Sequence, residues 1–232
     1  MVRARLGQLL DRLERFYGVQ SPGWPTDPFL FLVWWHCGYP PGEERCTRGW
    51  EALSREVGTS PEELLAASTS RLTRALQAGG IVPQLRAARL REIAARVRDD
   101  YGGDLRAALA DSPLARARAL LKKFPGIGNP GADRILLFAG IAPVPAIPSS
   151  SPYVLLRIES GREPAQYTAT YREAQRALQE QVPETFQART RAYLLLQWHG
   201  RQLCKRTRPR CGDCPVAKSC AYFRTGDAVR EK

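Results

Sequence analysis

No apolar run in these 232 residues is long enough to cross a bilayer, and the chain does not open on the charged start, apolar stretch and small-residue cleavage site of an exported protein. A protein outside the membrane, in the cytoplasm, is the expectation. Lysine is scarce: Lys122, Lys123, Lys205, Lys218 and Lys232 are the five lysines among 35 basic residues. Arginine stays protonated, so few side chains here can act as amine nucleophiles. Acid is missing altogether from one stretch, since no Asp or Glu stands between Asp133 and Glu159. Few segments alternate with period 2, which argues against a sheet, and there is neither an internal repeat nor a low-complexity tract.

What the chain does have is a core and a charge. Apolar residues make up 44%, enough to pack an interior and to exclude wholesale disorder. Lys and Arg outnumber Asp and Glu by 35 to 23, a net +12 that points to a polyanionic partner, nucleic acid before an acidic membrane surface. The excess is uneven. Residues 112–158 carry +5 and residues 199–232 carry +6, leaving +1 for the other 151 residues, as expected of a binding face.

Apolar residues recur at helical spacing. Leu6, Leu9, Leu10 and Leu13 form one stripe. Leu64, Leu65, Leu72 and Leu76 form part of another, opened by Ser60 as N-cap, Pro61 at the first helical position and Glu63 three residues after the cap. Residues 84–99, 166–182 and 186–203 read as further amphipathic helices, and the fold class is all-α with about ten helices. Ala142–Pro152, with four prolines and three serines, reads as a connection between two helical bodies. The polar residues after Phe223 read as a fraying tail.

Four of the six cysteines lie in CKRTRPRCGDCPVAKSC, spaced Cys204-x6-Cys211-x2-Cys214-x5-Cys220. Four thiolates at the end of a helix can converge on one metal centre, and both tetrahedral zinc and a four-iron cluster accept them. Disulfides suit a cytosolic chain poorly. The loop they bracket bears Lys205, Arg206, Arg208 and Arg210, a natural set of phosphate contacts. A second motif lies upstream, where a helix ending in Lys122 and Lys123 runs into Phe124-Pro125-Gly126-Ile127-Gly128 and a new helix follows at once. Asn129 suits its N-cap and Pro130 its first helical position, and the turn's amides with the helix N-terminus make an anion site.

The cysteine spacing, with WHGRQLC before it and RPRCGDCP within it, resembles the iron–sulfur loop of the endonuclease III family of DNA glycosylases. FPGIG resembles the helix-hairpin-helix of the same superfamily, and the two stand in the family's order. The resemblance runs from about Asp27-Pro28-Phe29 to Tyr222. It implies a 4Fe-4S cluster on Cys204, Cys211, Cys214 and Cys220. It also implies a six-helix barrel over 29–141 with the hairpin at about 114–140, and an iron–sulfur domain made of 1–28 with 142–223. A flexible tail over 224–232 and a DNA cleft between the domains complete the expected layout. Lys122, Lys123, Gly126, Ile127, Gly128 and Asn129 would contact the DNA backbone, together with the four cations of the cysteine loop. The partner implied is double-stranded DNA with a damaged or modified base or an abasic site, bound by a monomer that is nucleoid-associated if the source is bacterial.

The family's chemistry is harder to find. Its members place an Asp a few residues before an aliphatic–Arg pair, to support the cationic sugar or activate water. Anchoring on Arg157 puts Pro152 at that position, and anchoring on Ile147 puts Pro148 there. The Lys that forms a Schiff base in bifunctional members is matched by Pro130. Substitutes are few: His36 in the aromatic stretch Trp34–Tyr39, Asp133 one turn into the second hairpin helix, and Tyr153 after Ser149–Ser151. Each has an ordinary alternative as a packed or helix-terminal residue, as Glu43 and Glu44 have on a solvated loop. The expectation is an N-glycosylase without Lys-dependent lyase activity, its catalytic residues unassigned; the alternative is a catalytically silent binder of DNA lesions or DNA structures.

Overall fold

A computed structural model describes residues 6–40 and 42–225. Among them are thirteen α-helices, in chain order α1 (Leu6–Tyr17), α2 (Pro28–His36), α3 (Glu43–Glu56), α4 (Pro61–Ala66), α5 (Thr69–Leu76), α6 (Pro83–Tyr101), α7 (Leu105–Ala110), α8 (Leu114–Leu121), α9 (Asn129–Phe138), α10 (Tyr153–Glu159), α11 (Tyr167–Gln181), α12 (Phe186–Gln202) and α13 (Ala221–Arg224). The excess over ten comes from helices of four to eight residues, too short to show a full apolar period. The protein is all-α; the one strand-like pairing among the described residues is an isolated parallel bridge from Tyr39 to Gly80. No helix among them is long and apolar enough to cross a membrane. Arg224 closes α13, and residues 226–232 of the expected tail lie outside the described residues.

The chain divides into two compact units, Pro22–Ile141 and Met1–Ser21 with Ala142–Lys232. In the first, α2 (PFLFLVWWH) is apolar on every side and buries seven of its nine residues, as a helix enclosed by others must. Asp27 starts it, its carboxylate accepting from the Leu30 amide at 3.0 Å, with Pro28 in the first turn. α3, α6, α7 and α9 pack round it. Ser60 and Glu63 form the expected capping box. The leucine stripe behind them is broken, however: Ala67 is extended and Ser68 caps a new helix, accepting from the Arg71 amide at 3.2 Å. Leu64 and Leu72 therefore reach the core from two helices, because a second serine offers the backbone a local exit.

One side chain closes this unit's irregular wall. Arg86, 2% exposed on α6, donates to the carbonyls of Cys37 (2.6 Å), Leu76 (2.7 Å), Gly80 (2.8 Å) and Ile81 (3.1 Å). The segments meet so closely that a Cβ on Gly79 would stand 1.7 Å from the Cys37 oxygen, which only glycine permits.

The second unit is built on the leucine stripe of α1. Leu6, Leu9, Leu10 and Leu13 are all buried, with α12 against α1 and α10 against α11 and α12. Arg191 of α12 clamps Glu14 (2.9 Å) and Asp11 (2.8 Å) on α1. Ala142–Pro152 is non-helical, and Arg189 donates to its Pro143 carbonyl. Replacing Arg86 with Met strands the buried carbonyls of Cys37 and Leu76 and takes the donor from those of Gly80 and Ile81. Urea unfolding of the variant is expected to show a loss of about 3 kcal/mol or more, and an unchanged midpoint would refute the role given to Arg86.

Candidate nucleic-acid interface and cysteine centre

The hairpin turn is built to present amides. α8 ends at Leu121, Lys122 and Lys123 stand exposed beyond it, and Phe124 and Ile127 anchor the turn in the core. Gly126 takes φ +70°, a conformation that favours glycine. The helix that follows begins one residue earlier than the sequence suggests. Gly128, extended, is the N-cap, Asn129 is the first helical residue, and no side chain caps the end. Among the described residues the amides of Gly128, Asn129 and Gly131 have no protein acceptor, and they stand at the positive end of α9. Ile127 departs from its expected role: its side chain is buried and its amide is spent on the Phe124 carbonyl at 3.2 Å.

The cysteine loop is gripped from inside by a residue that the sequence offered only as an alignment anchor. Arg157, 4% exposed on α10, donates to the carbonyls of Lys205 (2.8 Å) and Arg206 (3.0 Å), and its guanidinium lies 4.7 Å from the ring centres of both Tyr153 and Tyr222. A lone basic residue in the apolar run YVLLRIE was the available signal. Lys205, Arg206, Arg208 and Arg210 all point outward, but they are not equivalent. Arg206 is paired with Glu163 at 2.6 Å and Arg210 with Asp213 at 2.8 Å. Among the described residues Lys205 and Arg208 make no ion pair. Arg208 also holds φ +52°, uncommon for a residue with a Cβ.

Cys204, Cys211, Cys214 and Cys220 line one cavity, closed on its other sides by Leu203 and Val216 among others, and none of the six cysteines is in a disulfide. Burial pushes the Cys204 thiol up to about 12 and Cys214 to about 11, and it raises Cys220 as well, so the sulfurs favour the protonated form unless a cation holds them. Among the described residues no group of three or more His, Cys, Asp or Glu is placed to hold a metal ion.

Each of the three candidate catalytic side chains is engaged. Asp133, 2% exposed, is paired with Arg118 at 2.7 Å and links α9 to α8. Tyr153, 3% exposed, lies under the guanidinium groups of Arg157 and Arg206. Ser151 beside it is buried against Gly200 of α12, while Ser149 and Ser150 are exposed. His36, 4% exposed, donates through Nε2 to the Pro125 carbonyl at 2.9 Å, tying α2 to the hairpin turn. Glu43 and Glu44 are not on a loop but in the first turn of α3, where Glu43 pairs with the buried Arg134 at 3.3 Å.

His36 also lines an open recess of about 340 Å³ in the unit Pro22–Ile141, with Trp35, Tyr39, Leu85, Arg89 and Gly126. Arg89, half-buried there, makes no hydrogen bond or ion pair among the described residues, and sequence reasoning missed it because it sits on an ordinary amphipathic helix. Exposed Ile81 and Val82 stand on the adjoining turn, Val82 at φ +50°. Pro130, expected where bifunctional relatives carry a Lys, is in the first turn of α9, and Pro148 and Pro152 are both buried.

No protein-family model matches the chain. It is 26% identical to endonuclease III of Thermotoga maritima over 199 residues, 86% of this chain and 85% of that one. It is 26% identical to endonuclease III of Bacillus subtilis over 160 residues, 69% of this chain and 66% of the other, and 25% identical to the thymine-DNA glycosylase of Aeropyrum pernix over 95% of this chain and 96% of that one. Among solved structures, a trapped endonuclease III–DNA covalent intermediate superposes with a TM-score of 0.74 at 18% identity, covering 97% of this chain and 98% of that one. A thermostable thymine-DNA glycosylase superposes with a TM-score of 0.70 at 18% identity, covering 94% and 96%. In sequence and in fold the chain is endonuclease III-like.

The engagement of His36 has a consequence for acid stability. Burial lowers its pKa from 6.5 to about 4. Between those values the unfolded chain binds a proton that the folded chain refuses, so this contribution is full above pH 6.5 and is lost as pH falls towards 4. The loss is on the order of 3 kcal/mol. Urea midpoints of the wild type and His36→Gln should therefore diverge at neutral pH and converge near pH 4; a constant gap would refute the assignment.

Proposed function

We propose that the chain binds double-stranded DNA and acts as an N-glycosylase on a damaged or modified base, without Lys-dependent lyase activity. The observation that carries the DNA reading is the hairpin turn, where three unpartnered amides sit at a helix N-terminus beside two exposed lysines. A backbone phosphate seated there would bring the duplex past the recess of Trp35, His36 and Tyr39 on the same unit. That recess has an aromatic face for stacking an extruded base and Arg89 as a free cation. Ile81 and Val82, apolar and exposed at its rim, fit the wedge that holds a duplex open. His36 would meet the base as a neutral imidazole. The relative named as a thymine-DNA glycosylase supports the activity.

Cys204, Cys211, Cys214 and Cys220 would hold a 4Fe-4S cluster. Four thiols lining one cavity, in the spacing that resembles the family's iron–sulfur loop, are a donor set that such a cluster takes. When bound, such a cluster supplies a rigid cross-link and a one-electron couple. This chain's own part is to fix the loop, through the grip of Arg157 on the backbone of Lys205 and Arg206, so that Arg208 and Lys205 face phosphate.

One observation favours the second reading, a silent binder: no carboxylate stands between Asp133 and Glu159, and Asp133 is bound to Arg118. A panel of lesion duplexes with alkaline cleavage separates the two. The glycosylase reading expects strand breaks at one lesion class, whereas selective binding with every lesion intact would hand the assignment to the binder. Borohydride should trap no covalent adduct, and a trapped adduct overturns the claim about lyase activity.

The loop cations make a graded prediction. Arg208→Ala should weaken binding to all sequences and lower the slope of log K against log salt by about 0.9. Arg206→Ala, which removes a cation already paired with Glu163, should change the slope less. Fluorescence anisotropy at several salt concentrations measures both, and equal effects would refute the distinction.

A further inference from the structure

We propose that Tyr17 and His199 form a hydrogen-bond relay that ends on the Cys214 sulfur and raises the reduction potential of an iron–sulfur cluster held there. The proposal rests on the cluster reading above. Tyr17 is the last residue of α1 and His199 lies near the end of α12, in the same unit. The Tyr17 hydroxyl stands 2.9 Å from Nδ1 of His199, and Nε2 on the other side of the ring stands 3.7 Å from Cys214 Sγ.

The roles follow from counting protons. A metal-bound sulfur carries no hydrogen and can only accept, so Nε2 must carry the imidazole proton. Nδ1 is then a bare acceptor, and the one group beside it is a hydroxyl, which donates. Each polar atom of the ring has a partner, and the tautomer is set by the tyrosine. Packing alone does not explain the arrangement. His199 is 1% exposed, and a phenylalanine there would fill similar space without burying two nitrogens. The four sulfurs also differ in what surrounds them. The Arg157 guanidinium lies beside Cys204, the Cys220 sulfur stands 3.4 Å from the Arg157 carbonyl oxygen, and Cys214 faces the imidazole.

A donor aimed at a ligating sulfur stabilises the negative charge gained on reduction, so it raises the potential. His199 is thus a positioning residue that acts through Cys214. Tyr17 acts through His199. Because Tyr17 is half-buried, the relay runs from near the surface to the cysteine centre.

The test is a redox titration of the full-length holoprotein, followed by its visible absorbance, with iron content and helical circular dichroism as controls. His199→Phe should lower the reduction equilibrium constant about tenfold, a fall of about 59 mV for a one-electron couple. Tyr17→Phe, which lets the ring proton move to the other nitrogen, should give a smaller fall in the same direction. His199→Gln puts an amide nitrogen near the place of Nε2 and should keep most of the wild-type potential. A merely structural role would alter stability and iron retention but would not order the three potentials this way. If His199→Phe fails to fold, Tyr17→Phe decides, and an unchanged potential there overturns the relay. Iron in the wild type with unchanged potentials in the variants sinks the relay and leaves the cluster reading standing. A wild type without iron sinks both.

Discussion

A guanidinium ion taken out of water draws acceptors to it, and several irregular parts of this chain are gathered round buried arginines. Arg86 gathers four carbonyls from two segments and so makes the wall of the aromatic recess. Arg157 draws in the backbone of the cysteine loop and thereby turns the loop's own cations outward. Arg134 lies 3.7 Å from the Trp24 ring centre and 4.9 Å from that of Phe31, bound to Glu43. Regular helices satisfy their own backbone. Irregular segments cannot, and here Arg86 and Arg157 supply donors to part of theirs.

This use of arginine changes the meaning of the net charge. The excess of +12 pointed to a polyanion, and residues 112–158 looked like half of a binding face. Two of the six cations in that stretch, Arg134 and Arg157, are buried, and Arg118 is bound to Asp133. Arg116, Lys122 and Lys123 are what it exposes. On the proposed DNA reading, the face would be carried by fewer charges than the sum implies, with backbone amides at the start of α9 sharing the work. A binding surface of oriented amides and a few free cations is more selective in geometry than a diffuse basic patch.

Much of the architecture was legible in the sequence because it rests on local rules. The leucines of α1, the capping box of α4 and the amphipathic pattern of α6, α11 and α12 are all read within a few residues, and each stands where expected. Local rules misled where two residues competed for one role. Ser68 ended a stripe that the leucines seemed to continue, and Gly128 took the cap that Asn129 could have held. The candidate site was less legible, since its partners are far apart along the chain. His36 bonds Pro125 from 89 positions away, Arg157 reaches Arg206 across 49, and Tyr17 meets His199 across 182. No periodicity encodes such pairs.

By itself the sequence determined that the protein is all-α, that four thiols fall close together, and that a glycine turn opens a helix, because spacing and backbone preference act over short distances. Tertiary structure alone decided which charges remain free and which titratable groups are already engaged. Asp133, Tyr153 and His36 read as equal candidates along the chain. Burial and long-range partners set the first two into the framework and left the third beside an open recess, a distinction that exists only once the chain has folded back on itself.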